Sequence, residues 1–133
     1  MATQEITVDN LESTIADNDI VFLDFWAEWC GPCRMFGPVF EKASEAHPDI
    51  VFGKIDTEAQ QELAGAFQIR SIPTLMAFRE NVLVFSQPGA LGEPQFDQLI
   101  DAVLGLDMEE VHAKVAAEQA KQSNAEGVQA SAS

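Results

Sequence analysis

Tyrosine is missing from the 133 residues, cysteine and histidine occur twice each, and only seven Lys and Arg stand against twenty-two Asp and Glu, for a formal net charge of −15. Each shortage excludes something. Two thiols and two solitary histidines, His47 and His112, do not make up the paired ligand sets of a structural zinc site, so no metal is expected and the histidines read as solvated helix residues. The basic residues form no cluster, and so negative a chain repels phosphate backbones and anionic lipid, which argues against nucleic-acid and membrane partners. No apolar run approaches the roughly 20 residues that span a bilayer, and Met1-Ala2-Thr3-Gln4-Glu5 lacks the basic start and apolar stretch of an export signal. A cytoplasmic location is therefore expected, where a disulfide is transient and catalytic rather than structural. With 47% apolar residues the chain can bury one core and hardly two.

Both cysteines fall in one pentapeptide, Trp29-Cys30-Gly31-Pro32-Cys33, directly after an apolar run. Two intervening residues let both sulfurs sit in the first turn of one helix, where unpaired N–H groups and the helix dipole stabilise a thiolate, the form that attacks disulfides. Gly31 permits a tight entry into that helix, and Pro32 fixes a helical φ where its missing N–H costs little. The alternative is a structural disulfide, but a bond closing so short a loop removes little unfolded-state entropy. The spacing favours a redox-active dithiol.

Hydrophobic patterning supplies the frame around it. Asp9 to Ala16 is amphipathic, with Glu12 three residues after Asp9 in the manner of a capping box. Ile20 to Trp26 is almost continuously apolar, as a strand covered on both faces requires, and predicts the sheet centre. A helix is expected from about Cys33 to Ala46, with Met35, Phe36, Val39, Phe40 and Ala43 at helical spacing and Pro38 as the point of a kink. Ile50 to Asp56 reads as a second strand, and Thr57 with Gln60 predicts the cap of a helix reaching Phe67. Thr74 to Phe78 and Val82 to Ser86 form an antiparallel hairpin, and Pro94 opens a helix carrying Phe96, Leu99, Ile100, Val103 and Leu104 on one face. This order predicts an α/β fold, a central mixed sheet flanked by helices on both faces. Leu104, Met108, Val111 and Val115 keep helical spacing, so an additional helix is expected over 107–122, followed by a disordered tail over 123–133.

Asp24 interrupts the central strand. A carboxylate between Leu23 and Phe25 on a doubly covered strand is costly to ionise, so burial raises its pKa toward neutrality. The alternative places it at a sheet edge, taking a backbone hydrogen bond.

Phe25-Trp26-Ala27-Glu28-Trp29-Cys30-Gly31-Pro32-Cys33, then Ser71-Ile72-Pro73-Thr74, then Gly89-Ala90-Leu91 resemble the active-site segments of the thioredoxin family, in residue and in order, across about residues 5–104. The resemblance implies a thioredoxin fold over residues 1–106 and a general protein-disulfide reductase, since Gly-Pro between the cysteines belongs to the reducing members. It implies Cys30, the more exposed sulfur, as nucleophile and Cys33 as resolving thiol, with Gly31 and Pro32 contributing. Asp24 becomes the group that moves a proton for Cys33 through water, with Lys54 tuning its charge. Trp29, Ile72, a cis Pro73 and Gly89 become substrate-binding residues, and Trp26 is divided between core packing and anchoring. The implied partners are oxidised protein substrates and a thioredoxin reductase, so NADPH is used indirectly and no cofactor is bound. Two positions depart from the family pattern. Pro88 stands where an aliphatic residue is common and lacks an N–H for backbone pairing, and Glu80-Asn81 replaces the commoner Asn-Gly turn. The rival readings are a redox-independent binding subunit or holdase on the same fold, and a disulfide oxidant or isomerase, which needs an oxidising compartment.

Overall fold

The run Ile-Val-Phe-Leu-Asp-Phe-Trp forms β2 (Ile20–Trp26), buried throughout except for the half-buried Trp26. The structure, a computed structural model, describes residues 2–132, those from 122 onward by backbone alone. β2 pairs parallel with β3 (Val51–Asp56) on one side and antiparallel with β4 (Thr74–Arg79) on the other. β1 (Gln4–Glu5) and β5 (Val82–Pro88) complete the sheet in the order β1-β3-β2-β4-β5. Both faces of β2 are covered, which explains its unalternating apolarity. Ile20 and Phe22 join Phe52, Phe36 and Phe40 of α2 (Gly31–Ala46), and Phe96, Ile100 and Val103 of α4 (Glu93–Leu104). Val21, Leu23 and Phe25 join Leu11 and Ile15 of α1 (Leu11–Asp17) and Leu63 of α3 (Gln61–Ala66) in a separate cluster. The expected α/β architecture, with helices on both faces of a mixed sheet, is present.

Aromatic rings fix the α2 and α4 face. Phe22 stacks on Phe52 with centroids 5.6 Å apart, and Phe96 meets Phe22 edge-on at 5.6 Å and Phe36 at 5.3 Å. Such pairs add about 0.5–1.5 kcal/mol each beyond the area they bury, so α2, which carries Cys33 and follows directly on Cys30, is held firmly to the sheet. The opposite face is tightest at Gly53. A Cβ there would fall 2.5 Å from Ile6 Cγ1 and 3.1 Å from Leu23 Cδ2. Both neighbours are fully buried. Gly53→Ala is expected to cost about 1–3 kcal/mol through this overpacking, read as a lower urea midpoint at unchanged slope; an unchanged midpoint would show that Ile6 yields freely.

Several boundaries differ from the sequence expectations for local physical reasons. β1 was not anticipated, because two exposed residues on the free edge of β3 carry no periodicity. The cap of α1 is Asn10 and not Asp9; its Oδ1 accepts from the Thr7 N–H at 2.8 Å, so no capping box forms. Thr57 caps nothing, since its hydroxyl donates to Trp26 O at 3.1 Å, and α3 starts after Gln60 without a side-chain cap. α2 starts ahead of the expected Cys33, at Gly31, and runs through Pro38 to Ala46, the expected end. The hairpin turns at Glu80 and Asn81 with φ of 51° and 65°, the paired left-handed conformation that two-residue hairpins require, so the missing glycine did not change the turn.

The chain divides into two compact units, residues 1–103 and 104–133. In the second, α5 (Met108–Ala132) includes the helix expected over 107–122, with Glu110 and Lys114 paired at 3.3 Å one turn apart. The tail expected as disordered over 123–133 has its backbone in α5 as far as Ala132. Among the described residues, no helix is long and apolar enough to cross a membrane.

Candidate active site: a capped disulfide at the start of α2

The chain leaves β2 at Trp26, turns through Ala27-Glu28-Trp29, and enters α2 at Gly31, two residues earlier than the hydrophobic spacing predicts. Cys30 causes the early start. It is the N-cap residue, and its Sγ accepts from the Cys33 N–H at 3.2 Å, supplying one of the partners that a helix start lacks. Pro32 sits in the first turn, where no N–H is missed. Cys30 and Cys33 are joined as a disulfide with Cα atoms 5.2 Å apart.

The expectation that Cys30 is the more exposed of the two is not met. The residues are 4% and 5% exposed, because both pack with Ala27 under Trp26 and Ile72. Burial therefore does not distinguish attacking from resolving sulfur, whereas hydrogen bonding does: only Cys30 Sγ accepts from a helix N–H. The Ile72 carbonyl oxygen lies 3.7 Å from Cys30 Sγ. A disulfide sulfur carries no proton, so this becomes a hydrogen bond only when Cys30 is a thiol.

Asp24 is fully buried in the middle strand, opposite Lys54 on β3 and Leu75 on β4, which removes the sheet-edge alternative. Strand alternation puts it on the face of Phe22, the face that α2 covers. Neither carboxylate oxygen has a protein hydrogen-bond partner. Burial pushes its pKa up from 3.8 to about 7, with the Lys54 ammonium opposing the rise. Lys54 Nζ stands 4.5 Å over the Trp26 ring, a cation–π contact that ties the tuning charge to the strand end.

The remaining predicted residues ring the disulfide. The Ile72–Pro73 bond is cis, Pro73 is buried and Ile72 half-buried. Gly89, at φ 107°, donates its N–H to Pro73 O at 2.8 Å. That bond turns Gly89 inward, so alternation points the Pro88 nitrogen to the open sheet edge, where a proline is tolerated. Gly31 is exposed, and nothing lies within 4 Å of where its Cβ would be. Trp29 is 66% exposed and its indole donates to Glu58 Oε1 at 2.8 Å. Glu58 is a site residue that sequence reasoning missed. The only hint was Asp56-Thr57-Glu58 at the strand end, where Asp56 Oδ1 accepts from the Glu58 N–H at 2.9 Å and sets the turn. Among the described residues, no group of three or more His, Cys, Asp or Glu is placed to hold a metal ion.

Such a pair is suited to two-electron exchange, with both sulfurs held at a helix start that favours the thiolate. Known proteins agree. Residues 2–105 match the thioredoxin family profile. The chain is 59% identical over 120 residues to "Putative thioredoxin 2" of Streptomyces coelicolor, covering 90% of both chains, and 42% identical to thioredoxin C-3 of Corynebacterium nephridii over 75% of this chain and 70% of that one. Among solved structures it resembles a thioredoxin variant of Halobacterium salinarum, with TM-score 0.72, 35% identity and coverage of 78% and 92%. It also resembles a thioredoxin of Plasmodium falciparum, with TM-score 0.70, 32% identity and coverage of 75% and 98%. Fold, dithiol and relatives converge, and the chain belongs to the thioredoxin family, with the thiol–disulfide reductase chemistry of that family at Cys30 and Cys33.

Proposed function

We propose that the reduced protein is a general protein-disulfide reductase of the cytoplasm in which Cys30 attacks and Cys33 resolves. The supporting observation is the N–H of Cys33 aimed at Cys30 Sγ, which places the helix-start partial charge on that sulfur and lowers the cost of its thiolate. The Cys30 thiolate attacks one sulfur of a substrate disulfide, forming a mixed disulfide and releasing the other substrate sulfur. Cys33 then loses its proton toward Asp24, attacks Cys30 Sγ and releases the second substrate sulfur, leaving the Cys30–Cys33 disulfide. Gly31 and Pro32 shape the turn that makes the attack short. Trp29, Ile72, Pro73 and Gly89 receive an extended substrate segment, Ile72 by its backbone. A thioredoxin reductase drawing on NADPH returns two electrons, and no step is assigned to the C-terminal unit. Titration against dithiothreitol with trapped thiols is expected to give a potential near about −270 mV, the value of thioredoxins. One near about −120 mV would make the protein an oxidant, and no reversible couple would leave only a binding role.

A further inference from the structure

Among the lysines and arginines, Arg70 stands apart. Lys42, Lys114 and Lys121 pair with carboxylates, Arg34 and Arg79 donate to backbone carbonyls, and Lys54 lies over the Trp26 ring. Arg70 is exposed and has no hydrogen bond, ion pair or ring contact among the described residues. A chain with twenty-two Asp and Glu leaves this one guanidinium without a carboxylate. It does so two residues before Ile72, whose carbonyl oxygen lies 3.7 Å from Cys30 Sγ.

The backbone that carries Arg70 is fixed on both sides. α3 closes in a Schellman motif: Gln68 takes the left-handed conformation at φ 55° and donates its N–H to Gly65 O at 3.0 Å, while the Ile69 N–H donates to Ala64 O at 2.9 Å. Beyond Arg70, Thr74 Oγ1 donates to Ser71 O at 2.6 Å. Arg70 is thus presented from a short anchored connection, its Cα within about 8 Å of that of Ile72. Beside it opens a pocket of about 190 Å³ with Phe67, Ile69 and Met76 as apolar walls and Arg70 and Ser71 as polar ones. Pro88, the neighbour of Gly89, lines it too, so the pocket borders the surface assigned above to the substrate.

We propose that Arg70 and this pocket form a specificity subsite for an acidic side chain, a glutamate or aspartate of the substrate a few residues from the cysteine that Cys30 attacks. The inference rests on the reading of Ile72 and Pro73 as the segment that receives the substrate. An extended chain advances about 3.3 Å per residue and turns alternate side chains to one face, so a residue about two to four positions from the attacked cysteine comes level with Arg70. Its methylene groups lie against Phe67 and Ile69, and its carboxylate takes two parallel N–H donors of the guanidinium. The net charge of the chain repels an acidic segment at long range. At physiological salt, however, exposed charges act over only about 8 Å, so Arg70 decides the contact and distant carboxylates do not.

Nine-residue peptides test the subsite, each with a central cysteine joined by a disulfide to a second copy of itself, otherwise neutral, and carrying one glutamate at each of the other positions in turn. Single-turnover reduction by the reduced full-length protein is expected to run about fivefold faster with glutamate than with glutamine at positions level with Arg70, on one side of the cysteine, and the advantage should shrink in concentrated salt. Arg70→Lys should keep part of that glutamate-to-glutamine ratio, Arg70→Gln should bring it to unity, and Arg70→Glu should invert it. Equal rates for glutamate and glutamine at every position, or an advantage that survives Arg70→Gln, would overturn the subsite and leave the reductase reading standing. Failure to reduce any of the peptides would overturn the reductase reading, and the subsite with it.

Discussion

Cys33→Ser is expected to stop turnover and leave the protein covalently attached to its first substrate through Cys30. The substitution preserves the Cys33 backbone N–H that donates to Cys30 Sγ, so the attacking thiolate keeps its stabilisation. What disappears is a second sulfur held within bonding reach across a Cα separation of 5.2 Å. Well-oriented intramolecular groups act as if present at about 10⁵–10⁸ M, and an external thiol at millimolar concentration cannot replace that, so turnover falls roughly a thousandfold or more. Intact-mass spectrometry under non-reducing conditions should find one substrate molecule per protein. Cys30→Ser should show neither turnover nor adduct. An adduct on Cys30→Ser, formed through Cys33, would reverse the two roles, and the near-equal burial of the residues makes this more than a formality.

The residues that announce this site in the sequence are those whose chemistry is local. Cys30 and Cys33 are legible by spacing, β2 by its unbroken apolarity, and Asp24 by contradicting the strand that contains it. Other features depend on partners distant in the chain and carry no local pattern. Glu58 meets Trp29 across 29 residues, and nothing near either position requires it. Around Cys33, Arg34 and Gly37 of α2 meet Trp26 and Lys54 of the strands, a grouping that no local pattern announces. Capping failed as a guide for a related reason. Thr57 went to Trp26 O in a distant segment, while Asn10 and Cys30 took backbone N–H groups three residues away, and a cysteine, not a usual capping residue, holds the start of α2. Exposure of Cys30 was misjudged because Ile72, forty-two residues away, covers it.

Asp24 should also govern the pH dependence of stability, with a sign opposite to that of the usual paired carboxylate. Its folded pKa, about 7, lies above the ordinary 3.8, so between those values the folded chain holds a proton that the unfolded chain has lost. Below pH 3.8 both states are protonated and the group favours neither. As pH rises through the window, the unfolded state gains by ionising freely while the folded state cannot, and stability falls until both are ionised above about 7. At about 1.4 kcal/mol per pH unit the loss amounts to about 4 kcal/mol, a large part of the 5–15 kcal/mol that typically holds a domain folded. Asp24→Asn keeps the shape and cannot ionise. Urea unfolding of the oxidised wild-type and variant proteins, with no free thiols to titrate, is expected to give a difference that moves in favour of the variant between pH 4 and 7 and is flat above. Other groups cancel in that difference, since Lys54 is the only charged neighbour identified as acting on Asp24. A difference independent of pH would mean that Asp24 ionises in the folded protein as readily as in water, and that its buried position is no obstacle to charge.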